Sequence, residues 1–291
     1  MKEIVVISGK GGTGKTSVTA SFSYLGGSSV VTADCDVDAA DLHLLLKPDF
    51  GYSEDFYSGE ISSKDQPGCI RCGKCADVCR FDAITVKNGI YRIDPLRCEG
   101  CGYCARICPP KAIINKERKA GKWHISHIRT GGKMVHARLG IGADNSGKLV
   151  AKVKNEAREL ALEERAEYVI VDGSPGVGCP VVSSLSGANF VVLVTEPSVS
   201  GLHDLIRVYE LVKKFHIKAG CIINKADINP GQHQKIMDFL AEEGIPHLAD
   251  LPYDERFTKA IIEGKTIIEI STGNLEDRLT KCWEKVRRLT N

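Results

Sequence analysis

Apolar residues in this chain gather into short, β-branched runs separated by longer stretches of helical periodicity. Glu3 to Ile7, Val30 to Asp34, Tyr168 to Asp172, Phe190 to Thr195, Ala219 to Asn224 and His247 to Leu251 are such runs. Continuous rather than alternating apolarity marks a strand covered on both faces. Thr16 to Leu25, Leu149 to Arg165, Leu202 to Phe215 and His233 to Glu243 carry the helical pattern. Strands alternating with helices predict an α/β chain built on a doubly wound, mostly parallel sheet.

Between Phe56 and Arg118 that alternation gives way to short segments rich in Cys, Gly and Pro, which at this length build no ordinary core. Residues 56–118 are therefore expected to form a small inserted α+β module, with residues 1–55 and 119–291 making the sheet domain. Lys122 to Leu139 alternates loosely and predicts a hairpin turning at Thr130-Gly131-Gly132. Asn274 to Asn291 reads as an amphipathic helix packed on the core rather than on a membrane.

The insertion contains an internal repeat. Cys69, Cys72, Cys75, Cys79, Ala83 and Ile84 recur as Cys98, Cys101, Cys104, Cys108, Ala112 and Ile113, each displaced by 29 positions (98 − 69; 113 − 84). Two halves packed about a pseudo-twofold axis are expected.

The first strand runs into Gly9-Lys10-Gly11-Gly12-Thr13-Gly14-Lys15-Thr16, and a helix follows. This is the setting in which a Walker A loop works: glycines turn backbone N–H groups toward a β-phosphate, and the helix N-terminus adds its dipole. Lys15 would reach the β and γ oxygens, Thr16 would hold Mg2+, and Ser17 would touch the α-phosphate. Val31-Thr32-Ala33-Asp34-Cys35-Asp36 and Val169-Ile170-Val171-Asp172 place carboxylates at the carboxyl ends of strands, where an open sheet binds its ligands. Asp34 and Asp38 read equally well as capping residues.

Lys10, just before the glycines, makes the loop resemble the deviant Walker A ATPases, a SIMIBI-class group of the MinD/Mrp type. The resemblance implies an ATP-sandwich homodimer in which Lys10 reaches the partner's nucleotide and stabilises the transferring phosphoryl group. It also implies that Asp36 orients the attacking water and that Asp172 holds Mg2+ through water. Asn224-Lys225-Ala226-Asp227 resembles the base-reading motif of this class, with Pro252 in the loop beside the base. In GTPases such a motif grips guanine through its Asp, so GTP stays open, and Lys10 favours ATP.

Each half of the repeat has the Cys-x2-Cys-x2-Cys-x3-Cys spacing of bacterial ferredoxins, whose fourth cysteine ligates the other cluster. That resemblance implies one 4Fe-4S cluster on Cys69, Cys72, Cys75 and Cys108 and another on Cys98, Cys101, Cys104 and Cys79. Arg80 stands where ferredoxins usually carry proline. Structural zinc would use two well-separated Cys-x-x-Cys pairs. Together, the two motif blocks resemble MinD-superfamily ATPases that carry an inserted two-cluster ferredoxin domain.

Composition narrows the partners. The chain of 291 residues has a net charge of +2, which gives no global argument for nucleic acid or an anionic membrane. No apolar run reaches membrane-spanning length, and twelve cysteines in these spacings fit metal binding in a reducing cytoplasm rather than disulfides. From Cys69 to Ile113, eight Lys or Arg face four acidic residues, a docking face for an acidic redox partner or cluster-accepting protein, or else a solvated surface. Four cysteines lie outside the repeat. Cys221 and Cys282 read as small buried hydrophobes. Cys179, seven positions beyond Asp172, reads either as a buried thiol or as a metal ligand at the offset used by the nitrogenase iron protein.

Three functions fit these residues: an ATPase coupled to electron transfer through two clusters, an ATP-dependent carrier of iron-sulfur or other metallocofactors, and a positioning or scaffold ATPase with redox-sensing clusters.

Overall fold

The computed structural model describes residues 1–143, 146–270 and 273–291. The chain divides into two compact units. The first comprises Met1–Glu54, Trp123–Arg138 and Ser146–Asn291, and the second Asp55–Lys122 and Leu139–Asn145.

In chain order the elements begin with β1 (Lys2–Ile7), α1 (Lys15–Gly26), β2 (Val30–Asp34), α2 (Leu42–Leu46) and β3 (Tyr52–Lys64). The cysteine-rich stretch adds α3 (Lys74–Asp77), β4 (Ile84–Lys87), β5 (Ile90–Ile93) and α4 (Tyr103–Arg106) before β6 (Ile113–His127) and β7 (Lys133–Leu139). Then come α5 (Ser146–Glu163), β8 (Tyr168–Asp172), α6 (Cys179–Leu185), β9 (Phe190–Thr195) and α7 (Val199–Lys214). The chain closes with β10 (Lys218–Asn224), α8 (Pro230–Glu242), β11 (His247–Leu251), α9 (Arg256–Glu263), α10 (Ile267–Ile270) and α11 (Asn274–Thr290).

The principal sheet has the order β11-β10-β9-β1-β8-β2-β7-β6-β3. The pairs from β11 through β7 are all parallel. Every residue of β2, β8 and β9 is buried, as strands covered on both faces must be. Ile4, Val6, Ile170 and Val192 turn to one side, where Phe22 of α1 and Leu279, Trp283 and Val286 of α11 complete the core. On the other side α5 packs on β2 and β8. The carboxyl ends of three strands are brought level, with Asp172 paired to Val6 of β1 and to Asp34 of β2.

The expected hairpin is present: β6 and β7 are neighbours, and Ile128 N–H bonds Gly132 O at 3.0 Å across the turn. The reading of residues 56–118 as short segments needs correction at both ends. β3 has 13 residues and β6 has 15. Both are mostly polar, with exposed and covered positions mixed, so no apolar run announced β3 or the part of β6 before Lys122.

In the second unit, β4 and β5 form an antiparallel hairpin. The repeat is visible in the backbone. α3 and α4 are four-residue helices that follow Gly73 and Gly102, both left-handed, with φ 80° and 71°. Arg71 and Gly100, and again Asp82 and Lys111, also have positive φ at equivalent repeat positions. Gly100 has a further constraint: a Cβ there would stand 2.1 Å from Glu60 O. Besides cysteines, the buried hydrophobic residues of this unit are Ala83, Ala112, Ile113 and Ala120 among the described residues.

Candidate functional site

The phosphate loop joins the carboxyl end of β1 to α1 and is held open by backbone geometry. Gly14 caps α1 in the left-handed region (φ 94°), and a Cβ there would meet Asn224 Nδ2 at 2.4 Å. Asn224, at the end of β10, donates its amide to Thr13 O at 2.8 Å and accepts the Lys225 N–H at 2.9 Å. Asn224 thus ties β10, two strands away from β1, to the loop, a structural duty that the base-reading motif did not reveal. Lys225 reaches back to Gly12 O at 3.3 Å. Asp227 accepts the Tyr253 N–H at 2.6 Å, which fixes the loop that follows Pro252.

The charged centre lies between three strand ends. Lys15 Nζ stands 3.0 Å from Asp172 Oδ1 and 3.3 Å from Asp36 Oδ2. Thr16 donates to Asp172 Oδ2 at 2.8 Å, and Thr19 to Asp172 Oδ1 at 2.9 Å. Burial opposes the charge on Lys15, but Asp172 and Asp36 outweigh it and raise its pKa. Burial raises that of Asp36, with Lys15 acting against it. Asp34 is pushed up to about 8 by burial and by Asp172. The segments after β2 and β8 are joined directly, since Cys35 N–H donates to Asp172 O and Ser174 Oγ donates to Cys35 O, both at 2.8 Å.

A cavity of about 350 Å³ opens over this centre, lined by Gly11, Gly12, Gly14, Lys15, Thr16 and Ser17 and faced by Asp36 and Pro175. Thr13 Oγ1 is buried without a partner among the described residues. Glycine backbone, a buried lysine, a Thr–Asp pair and an orphaned hydroxyl suit a magnesium-bound nucleoside polyphosphate.

Lys10 is folded onto its own chain. It lies 2.6 Å from Glu196 Oε1 and donates to Ser200 at 2.9 Å and Ser198 at 3.2 Å. Glu196 also pairs with Lys225 at 2.8 Å. Sequence reasoning missed Glu196, whose signal was a carboxylate just past the end of β9. Thr19 was equally findable, four residues after Lys15 on the same helix face. A third omission is a cavity of about 490 Å³ beside Asp34, walled by His43, Phe50, His124 and His136.

The second unit holds two further cavities. Cys69, Cys72, Cys75 and Cys108 line one, and Cys79, Cys98, Cys101 and Cys104 line the other. The fourth cysteine of each run therefore lies with the first three of the other. Cys69 Sγ accepts the Arg71 N–H at 3.3 Å, and Lys64 holds the Cys69 thiol below its ordinary pKa. Cys104 donates to Ser62 Oγ at 3.4 Å. Among the described residues, no three His, Cys, Asp or Glu side chains are grouped as ligands of a metal ion. Of the remaining cysteines, Cys35, Cys221 and Cys282 are buried. Cys179 begins α6 and is exposed, so the buried-thiol reading fails there.

Comparison with known proteins agrees with the loop and strand geometry. The model of the CobQ/CobB/MinD/ParA nucleotide binding domain matches residues 4–267. The chain belongs to the CobQ/CobB/MinD/ParA nucleotide-binding family. An uncharacterised member from Methanocaldococcus jannaschii is 33% identical over 288 residues, covering 98% of this chain and 96% of the relative. The fold is shared with the cell-division ATPase MinD of Pyrococcus furiosus, at TM-score 0.58 and 20% identity over 99% of each chain. It is shared also with the septum site-determining protein MinD of Pyrococcus horikoshii, solved with Mg-ADP, at TM-score 0.58 and 22% identity over 100% of this chain and 97% of that one. In this family member, no helix among the described residues is long and apolar enough to cross a membrane.

Proposed function

We propose that the protein is an ATP-hydrolysing switch whose second unit carries two 4Fe-4S clusters for electron transfer. The observation that carries the proposal is the pair of cavities, each walled by four cysteines drawn crosswise from two repeats. Two Cys-x2-Cys-x2-Cys-x3-Cys runs, each lending its fourth cysteine to the other's set, suit cubes of iron and sulfide better than single ions. Cys69, Cys72, Cys75 and Cys108 would hold one cluster, and Cys79, Cys98, Cys101 and Cys104 the other. When bound, the clusters supply one-electron chemistry; the protein supplies the thiolates, the Lys64 cation and the surrounding walls.

The nucleotide chemistry follows from the first unit. Lys15 would neutralise the β and γ oxygens of a bound nucleotide, and Thr16 and Asp172 would hold its Mg2+. Asp36, 3.3 Å from Lys15, orients the attacking water. Lys10 must leave Glu196 to act on a partner's nucleotide, so homodimer formation exchanges an internal ion pair for one across the interface. The Asp172–Cys35–Ser174 connections give the segments after β2 and β8 a shared response to the γ-phosphate.

The test is anaerobic. Purified protein should contain iron and acid-labile sulfide in equal amounts, enough for two cubes, and Mg-ATP should change the visible spectrum or the rate of cluster oxidation. Protein without iron would overturn the cluster assignment, and a spectrum and oxidation rate indifferent to Mg-ATP would overturn the coupling. A carrier function is favoured by one observation, the exposed Cys72 and Cys101, which leave a corner of each site open. Loss of iron to an apo-acceptor, rather than oxidation without loss, would establish it.

A further inference from the structure

The two cysteine-lined cavities repeat in sequence but not in surroundings. The wall at Cys69, Cys72, Cys75 and Cys108 includes Lys64 and Lys74 beside the apolar Ile70 and Ile113 and, among the described residues, no acidic residue. The wall at Cys79, Cys98, Cys101 and Cys104 includes Glu99, no basic residue, and the apolar side chains Val78, Phe81, Ile84 and Ile93. Two charged neighbours favour neither wall, since Asp77 lies two residues from both Cys75 and Cys79, and Arg106 two from both Cys104 and Cys108. Exposed Arg71 sits between the first wall's Ile70 and Cys72, and exposed Lys111 follows its Pro110. Around the second wall, Arg97 lies 3.7 Å from Asp94.

Lys64 is anchored where it stands. Its ammonium donates to Tyr91 O at 3.1 Å and lies 4.9 Å from the centroid of the Tyr91 ring. Each cavity has one exposed cysteine, Cys72 in the first and Cys101 in the second. The basic wall thus surrounds one open corner, and exposed Phe81 and Tyr103 accompany the other.

A fixed cation beside a site that gains negative charge on reduction stabilises the reduced form, and an apolar wall disfavours it. Electrons entering the module would therefore settle on the basic side. Given the cluster-bearing function proposed above, we infer that the Cys72 corner is the port through which electrons leave, to a redox partner with an anionic docking face. One electron passes, the donor site is oxidised by one and the acceptor reduced by one, and no bond is made or broken.

The test uses the anaerobically reduced full-length protein in stopped flow with two inorganic one-electron oxidants of opposite charge. Ferricyanide, which becomes ferrocyanide, stands in for the anionic partner, and hexaammineruthenium(III), which becomes hexaammineruthenium(II), for a cationic one. With substoichiometric oxidant, the ferricyanide rate should fall as ionic strength rises and drop on the order of tenfold in Lys74→Glu, with iron content and spectrum unchanged. Lys64→Gln should lower the more positive of the two reduction potentials in an EPR-monitored titration. Glu99→Lys should leave the ferricyanide rate within about twofold, and hexaammineruthenium(III) should not be slowed by Lys74→Glu. Protein lacking iron and sulfide overturns the port and the cluster assignment together. Iron-loaded protein whose ferricyanide rate ignores Lys74→Glu, or responds as strongly to Glu99→Lys, overturns the port alone.

Discussion

The first unit surrounds its phosphate loop with strands buried on both faces, and its functional side chains are already fixed by one another: Lys15 between two carboxylates, Asn224 on Thr13 O, Thr16 on Asp172. The second unit has no comparable core. Beyond its cysteines it buries three alanines and one isoleucine among the described residues, which contribute on the order of 5 kcal/mol of apolar burial. That falls well short of the entropy lost in ordering such a segment. One unit is folded by its own side chains and then binds; the other, on the function proposed here, needs what it binds in order to fold.

The largest effect that could break this contrast is removal of iron. Chelation under reducing conditions, or Cys75→Ser combined with Cys104→Ser, should abolish amide-exchange protection across β4, β5 and the α3 and α4 turns while β1, β8 and β9 keep theirs. Hydrogen exchange read by mass spectrometry decides it, and equal protection in both states would show a self-sufficient second unit.

Lys15→Ala should reverse the pattern. ATP hydrolysis should fall by roughly a hundredfold or more, with iron content and second-unit protection intact. A parallel loss of iron would mean that the units do not fold separately.

Smaller and specific to the first unit is a pH effect. Burial, with His124 and His43 nearby, lowers the pKa of His136 to about 4. A falling pH therefore protonates the unfolded chain first. Stability from a neutral His136 is full above about pH 6.5 and is lost toward pH 4, by roughly 3 kcal/mol in all. Urea midpoints at pH 7 and 4.5 should converge in His136→Gln relative to the parent protein, and taking that difference cancels the opposite drift from Asp34. Asn224→Ala should have the least effect, about 1–2 kcal/mol, seen as a roughly tenfold weaker nucleotide affinity in calorimetry without loss of the sheet.

The sheet was legible because its strands are apolar and short and because glycine, lysine and threonine at fixed offsets have few other uses. The same reasoning passed over β3 and the part of β6 before Lys122, whose polar residues carry no periodic signal. Residues that act across long sequence separations were also hidden. Glu196 meets Lys10 only after β9 is laid beside β1, and the cavity beside Asp34 gathers His43, Phe50, His124 and His136 from three separate stretches. Asn224 shows a subtler limit, since its motif suggested contact with a base while its amide is engaged on the loop. The cysteine groupings were legible because the resemblance to bacterial ferredoxins implies them, whereas the charge contrast between their walls depends on Lys64 and Glu99, which no spacing rule singles out.

The crosswise cysteine sets have a consequence for how the chain is made. As the polypeptide emerges from the ribosome, the quartet that begins at Cys69 stays incomplete until Cys108 appears, although its other three members came out by Cys75. The second quartet closes at Cys104. Both therefore finish within four residues of each other (108 − 104), so synthesis offers almost no interval in which one site is complete and the other is not. On the function proposed above, loading of the module should accordingly be nearly all-or-none, with half-filled chains arising from damage rather than from assembly.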